Sequence, residues 1–151
     1  MTGTTAVVAN MDVRRFAREQ ATHRLARVAF EVRNTLQIAP SSSATIEAVH
    51  DLRVSTRRFR AVLDTFKEFF PPDERKRITK ELRSIFQLAG NVRNLDITQE
   101  LVGEAGMQGV EPAKESMQSD RSEAMLRLIE ALRVWVRQDF SFRWREGLNL
   151  P

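Results

Sequence analysis

Apolar residues recur along the chain at intervals of three and four, the spacing of one face of an α-helix. Period-two alternation, typical of strands, is absent, and so are the turn pairs of β-hairpins. Breaks fall at Pro40 and the serines after it, at Pro71 and Pro72, across residues 103–112 and at Gly147. We therefore predict an all-α fold, an antiparallel four-helix bundle with short connections.

The four predicted helices cover about residues 12–37, 43–70, 73–101 and 114–140, and Trp144 lies near the end of the last one. The third contains Gly90, and we expect the helix to pass through it at a cost of about 1 kcal/mol. Residues 1–10 are small and uncharged. We expect them to form a disordered tail ahead of a single helical domain at 11–151.

The kind of basic residue in this chain is more informative than the net charge. The net charge is +4, and only four of the 24 basic residues are lysine. Arginine presents a planar fork that fits carboxylate or phosphate with two hydrogen bonds. A GC-rich genome would give the same overall bias, so the positions of the arginines carry the functional information.

The stretch "VHDLRVSTRRFR", residues 49–60, concentrates these arginines on the second predicted helix. At 100° per residue, one sector of that helix is cationic and lies away from the apolar arc. Its members are His50, Arg53, Arg57, Arg60 and Lys67, and Asp64 is the chief acid among them. Arg58 flanks the apolar arc on the other side. Like charges at these spacings oppose helix formation by a few tenths of a kcal/mol per pair, so we predict that the sector binds an extended anion. A looser match, "THRLARVAFEVR", also places a histidine before spaced arginines.

The position of His50 is consistent with two roles. It can be a capping or core-edge residue, or it can donate to phosphate as an imidazolium. With only two histidines and no cysteine in the chain, we expect no metal site and no cofactor.

"AVHDLRVSTRRFRAVLDTF" resembles the signature helix of CHAD domains, the conserved-histidine α-helical domains, whose pattern is approximately V-H-x-x-R-V-x-x-R-R-x-R-x-x-L. Every named position of that pattern is present. "LAGNVRNLDITQELV" is similar to the second signature of the family, a glycine followed by Arg-Asp-x-Asp. Gly90, Arg93 and Asp96 match it, whereas Asn94 replaces the first aspartate.

The resemblance implies a helical protein that binds inorganic polyphosphate through a basic groove or pore and is not itself a catalyst. Carried over by position, the phosphate ligands are His50, Arg53, Arg57, Arg58, Arg60 and Arg93. Lys80 and Arg83, with Lys76, form a further basic stripe that either extends the track or faces solvent; we include Lys80 and Arg83 in the predicted site. Asp96 is expected to orient an arginine.

Family members usually contain two related four-helix halves that face each other across a basic channel, and this chain matches the first half. We expect either that a second half is missing or that two copies associate as a homodimer that completes the channel.

Three other functions stay open. A nucleic-acid binder is disfavoured, because the basic sector lacks interleaved aromatic residues for base stacking. An enzyme acting on phosphoanhydrides would need a metal site or a placed base, and no carboxylate pair suggests a metal site. The third alternative is a scaffold for acidic proteins.

The sequence contains no apolar run long enough for a membrane span and no signal-peptide pattern. We therefore expect no membrane partner and a cytoplasmic location, with polyphosphate granules as one candidate location.

Overall fold

A computed structural model of the chain describes residues 2–106, 109 and 111–151. These residues form five α-helices and one short 3-10 helix, Lys67–Phe69, and contain no strand. The helices are α1 Thr2–Gln37, α2 Ala44–Thr65, α3 Pro72–Glu104, α4 Glu111–Arg137 and α5 Phe140–Gly147. The all-α prediction is therefore confirmed over the described residues. The loop predicted at 103–112 includes positions 107, 108 and 110, which lie outside the described residues.

α1 begins earlier than the sequence indicates. We expected a disordered tail over residues 1–10, of which residue 1 lies outside the described residues, but α1 starts at Thr2. Its side chains from Gly3 to Phe16 are exposed, so this first part of the helix extends beyond the packed core. α3, in contrast, passes through Gly90 as expected.

The predicted fourth helix is two helices, so the expected count of four is wrong. The chain turns at Asp139, which has left-handed backbone angles (φ 50°, ψ 53°). This turn brings Trp144 of α5 back onto the core, where its ring centroid lies 4.8 Å from that of Trp135 and 6.2 Å from that of Phe59. Burying these large aromatic surfaces offsets the 1–3 kcal/mol that a strained backbone angle typically costs.

One hydrophobic core joins the four long helices. α1 packs along α2, α2 along α3 and α3 along α4, whereas α1 and α4 meet over a shorter stretch. The fully buried side chains include Leu25, Val28, Leu52, Phe59, Leu63, Ile78, Leu82, Leu128 and Leu132. None of the helices in the described part of the chain is long and apolar enough to cross a membrane.

α2 and α3 run in opposite directions, and this placement matters for the site. Ile46, near the start of α2, shares a surface hollow with Arg93. Asp64, near the end of α2, shares another hollow with Arg75 and Arg83. The basic residues that the sequence places on α2 and α3 therefore follow one another along a common interhelical line.

Candidate functional site

Two arginines of α2 lie against the same aromatic ring of α3. The guanidinium carbon of Arg53 is 4.6 Å from the ring centroid of Phe86, and that of Arg60 is 5.6 Å from it. Both distances fall within the range of cation–π attraction. Arg53 and Arg60 are seven residues apart, two helical turns, so they share the flank of α2 that faces α3.

Gly90 lies beside the first of these arginines. It lies four residues beyond Phe86, and a Cβ built at Gly90 would be 3.8 Å from Nε of Arg53. The guanidinium group therefore rests against the glycine as well as the ring. We call Arg53, Arg60, Phe86 and Gly90 the α2–α3 seam.

The cations of the seam have no anionic partner within the described part of the chain. The ion pairs there involve other cations, so no carboxylate lies within 4.0 Å of either seam arginine. The Nε–H group of Arg53 is buried and donates no hydrogen bond to the protein. A buried N–H group without a partner costs free energy.

A hollow lies at each end of the seam. One, of about 260 Å³, contains the predicted ligands Lys80 and Arg83; its other lining residues are Asp64, Arg75, Lys76 and Thr79. The other, of about 430 Å³, contains the predicted ligand Arg93; its other lining residues are Ile46, Asp96, Gln99 and Glu100. The first hollow has one acid among four cations, whereas Arg93 stands beside two acids.

The remaining predicted ligands lie elsewhere on α2. Arg57 and His50 are exposed on its outer side. His50 also borders a hollow between α1 and α2, together with Arg58. The five predicted ligands on α2 are thus distributed over both flanks of that helix, and the other three lie on α3. The seam brings together Arg53 and Arg60 directly.

Asp96 contacts an arginine that the sequence did not single out. Its Oδ1 accepts a hydrogen bond from Nε of Arg121 on α4 at 2.5 Å, and Arg121 also donates to the hydroxyl of Thr45 at 2.7 Å. Asp96 and Arg121 are almost fully buried. This contact ties α2, α3 and α4 together, and Arg93 takes no part in it.

Sequence reasoning also missed the role of Phe86, whose spacing from Leu82 and Ile85 is that of a core residue of the third predicted helix. Phe86 is half-buried and supports the two seam arginines. The sequence contained one signal for this role, because Gly90 follows Phe86 by one helical turn and has no side chain to cover the ring on that side.

A buried carboxylate lies near the hollow between α1 and α2. Glu31 is 1% exposed and pairs with Arg27 at 2.6 Å. Burial raises the pKa of the Glu31 carboxyl group above its ordinary value, and the nearby Arg27 only partly counteracts this. Among the described residues, no three histidine, aspartate or glutamate side chains are grouped closely enough to hold a metal ion.

The fold and the site define an all-α protein with arginines stacked, and not neutralised, between two antiparallel helices. The family model of the CHAD domain matches residues 27–149 of the 151-residue chain. The chain therefore belongs to the CHAD-domain family, which confirms the resemblance read from its two signatures. No curated protein and no solved structure matches it.

Proposed function

We propose that the chain binds inorganic polyphosphate along the α2–α3 seam and the hollows at its ends, as a binding protein without a catalytic step. The observation that carries the proposal is the pair of guanidinium groups on Phe86, which no carboxylate of the described residues neutralises. Membership of the CHAD family, which is associated with polyphosphate binding, supports it.

The length of the basic line favours a polymer over a single small anion. Lys76 and Arg93 are separated by 17 positions on α3, which corresponds to about 25 Å at the rise of an α-helix. One phosphate group cannot contact cations over that distance. A chain with a negative charge on every unit can contact the hollow at Arg83, the seam and the hollow at Arg93 together.

The stacking of the arginines prepares them for this role. An arginine side chain free in solvent loses rotamer entropy when it binds, whereas a guanidinium already held on a ring loses less. The guanidinium carbons of Arg53 and Arg60 lie over the ring of Phe86, and both side chains are partly exposed. The seam thus offers two partly ordered forks to phosphate oxygens.

The same geometry favours polyphosphate over single-stranded nucleic acid. Proteins that bind single strands without sequence preference stack bases on aromatic side chains. The ring of Phe86, the one aromatic residue of the seam, already contacts two guanidinium groups. Nucleic acid would therefore have only the phosphate contacts, which polyphosphate presents more densely.

Calorimetry with polyphosphate at two salt concentrations tests the proposal, with duplex DNA as a competitor at equal phosphate concentration. We expect binding that weakens as salt rises, because released counterions contribute to phosphate binding, and that DNA does not displace. Absence of binding, or complete displacement by DNA, would contradict the proposal. An association with polyphosphate granules in the cell would follow from it.

The proposal extends to a homodimer. It treats α1 to α4 as one antiparallel four-helix bundle, and a second copy as the bundle that completes a channel around the ligand. Two seams that face each other would repel, so we expect the dimer to form with polyphosphate between them. Light scattering with and without polyphosphate checks this, and a monomer in the ligand-bound state would disprove the dimer without affecting binding at the seam.

A further inference from the structure

The buried stripe of α1 continues past the end of the bundle. Within the core, the spacing of its members alternates between four and three residues: Ala21, Leu25, Val28 and Val32. The same alternation, carried towards the start of the helix, reaches Arg18, Arg14, Met11, Val7 and Thr4. Val7 is 60% exposed and Met11 66% exposed. Beyond the bundle, α1 therefore presents the stripe of a coiled coil without a partner among the described residues.

This part of α1 lies outside the region that the family model matches. We call residues 3–16 the α1 extension; they form the longest run of exposed residues in the described part of the chain. Val7 and Met11 also line a hollow of about 580 Å³, which Arg14, Arg18 and Pro151 border as well. The family match begins at residue 27. The extension is therefore a feature of this chain that the match does not explain.

The sequence of the extension favours a helix only when one face is packed. Six of the eight residues from 3 to 10 rank low as helix formers, namely Gly3, Thr4, Thr5, Val7, Val8 and Asn10. An isolated helix of this length is marginal in water, and most helical stability in proteins comes from the packing of an apolar face. Contact of the stripe with another helix would supply the stability that the local sequence lacks.

The surface of the chain is large for its mass. It measures 9516 Å², whereas a compact monomer of 17.4 kDa exposes about 7,900 Å². The excess is about 1,700 Å², and a stable interface buries about 800 Å² of each partner. The chain therefore has enough surplus surface for a dimer interface, and the extension is its longest exposed segment.

We propose that the α1 extension pairs with the α1 extension of a second copy, as two antiparallel helices. In this register, Val7 of one protomer packs on Met11 of its partner, and Thr4 lies opposite Arg14. Residues 3–11 carry no charge, so each arginine of the pair faces an uncharged turn. A parallel pair would instead place the arginines of the two stripes side by side, where like charges repel.

A second copy fits this surface better than a lipid bilayer does. Helices that lie in a membrane interface carry lysine or arginine on the polar face and tryptophan, phenylalanine or leucine on the other. Residues 3–13 contain none of these five residue types. An identical helix matches the stripe in length and in lack of charge, and a two-fold axis makes each contact twice.

Sedimentation equilibrium of the chain without polyphosphate tests the pairing. We expect a dimer, and a loss of dimer affinity of at least roughly a hundredfold when Val7→Asp is combined with Met11→Asp, because each change enters the contact twice. The matched control combines Thr5→Asp with Ala9→Asp, which has the same spacing and adds the same charge on the opposite, exposed side of the helix. The control should remain a dimer. A monomeric wild type at tens of micromolar, or equal losses in the two double variants, would overturn the proposal.

Single cysteines test the antiparallel register, because the chain has no cysteine of its own. On mild oxidation, a mixture of Val7→Cys and Met11→Cys should form a disulfide-linked dimer faster than either variant alone, since position 7 then lies next to position 11. Faster linkage in either variant alone would overturn the arrangement. A wild type that stays monomeric and cosediments with phosphatidylglycerol vesicles would show that the extension binds lipid, and would refute the second copy.

This pairing is independent of the proposed binding of polyphosphate, because it needs no ligand and uses no residue of the α2–α3 seam. Its failure would therefore leave the seam untouched, and a chain that binds no polyphosphate can still form it. The monomer expected from Val7→Asp with Met11→Asp also gives a background in which the polyphosphate-bridged dimer can be measured by itself.

Discussion

Replacing both seam arginines, Arg53→Gln together with Arg60→Gln, should remove most polyphosphate binding and leave the fold in place. A hydrogen bond between charged groups contributes about 1.5–3 kcal/mol. The loss of one such contact at each position therefore predicts a decrease in affinity of at least roughly a hundredfold. The slope of log affinity against log salt should fall by about two phosphate contacts.

The expected effect on stability is small. Each cation–π contact with Phe86 is worth about 0.5–1 kcal/mol at a partly exposed position. Its loss is offset in part because Arg53 and Arg60 no longer repel each other. The free energy of unfolding should therefore fall by about 1–2 kcal/mol at most, which urea denaturation followed by circular dichroism measures.

The matched control is Arg127→Gln together with Arg133→Gln on α4. Both residues are exposed, form no ion pair with a described residue, and remove the same charge from the chain. Calorimetry at several salt concentrations should show near wild-type affinity for this control. Equal losses in the two double variants would mean that net charge alone governs binding, and wild-type affinity in the seam variant would refute the site.

Three other changes test single contacts. Gly90→Ala should raise the free energy of unfolding by up to about 1 kcal/mol, because alanine favours the helix over glycine and its Cβ would meet Arg53 at an ordinary 3.8 Å. A lower free energy of unfolding, measured by urea denaturation, would show that the side chain of Arg53 cannot shift to accept the methyl group. Asp96→Ala should lower the free energy of unfolding by about 3 kcal/mol, because it leaves Arg121 buried without its partner. Calorimetry should find the affinity for polyphosphate unchanged. A loss of that affinity would place Asp96 in the site. Because the pKa of Glu31 is raised in the folded state, the folded state loses stability as the pH rises from the ordinary pKa of 4.5 through the raised pKa. Glu31→Gln should therefore exceed the wild type in stability by a margin that grows from acid to neutral pH, and a margin that shrinks would contradict this.

The long helices could be predicted from the sequence because each has a strong local signal. Apolar spacing indicated α1 to α4, and Pro71 with Pro72 marked the start of α3. The passage of α3 through Gly90 was predictable, since the cost of a mid-helix glycine is small beside the burial of Ile85, Ala89 and Val92 around it.

What could not be predicted depends on contacts between distant parts of the chain. The break at Asp139 has no proline or glycine to announce it, and it arises because Trp144 packs on Phe59 of another helix. Phe16 has the spacing of a core residue, yet it is half exposed, because the core ends before the first part of α1.

The same limit applies to the candidate site. The signatures gave the arginines of α2, because those are spaced within one helix. That Arg53 and Arg60 share Phe86, and that Asp96 joins Arg121, follows from how α2, α3 and α4 are arranged in space.

The aromatic cluster at the junction of α4 and α5 determines what optical spectroscopy can detect in this protein. The chain has two tryptophans and no tyrosine. Both indoles, Trp135 and Trp144, are buried in that cluster with their centroids 4.8 Å apart. Intrinsic fluorescence and the near-ultraviolet signal of the indoles will therefore report the integrity of the core, and they will be nearly blind to an anion that settles on the arginines outside it.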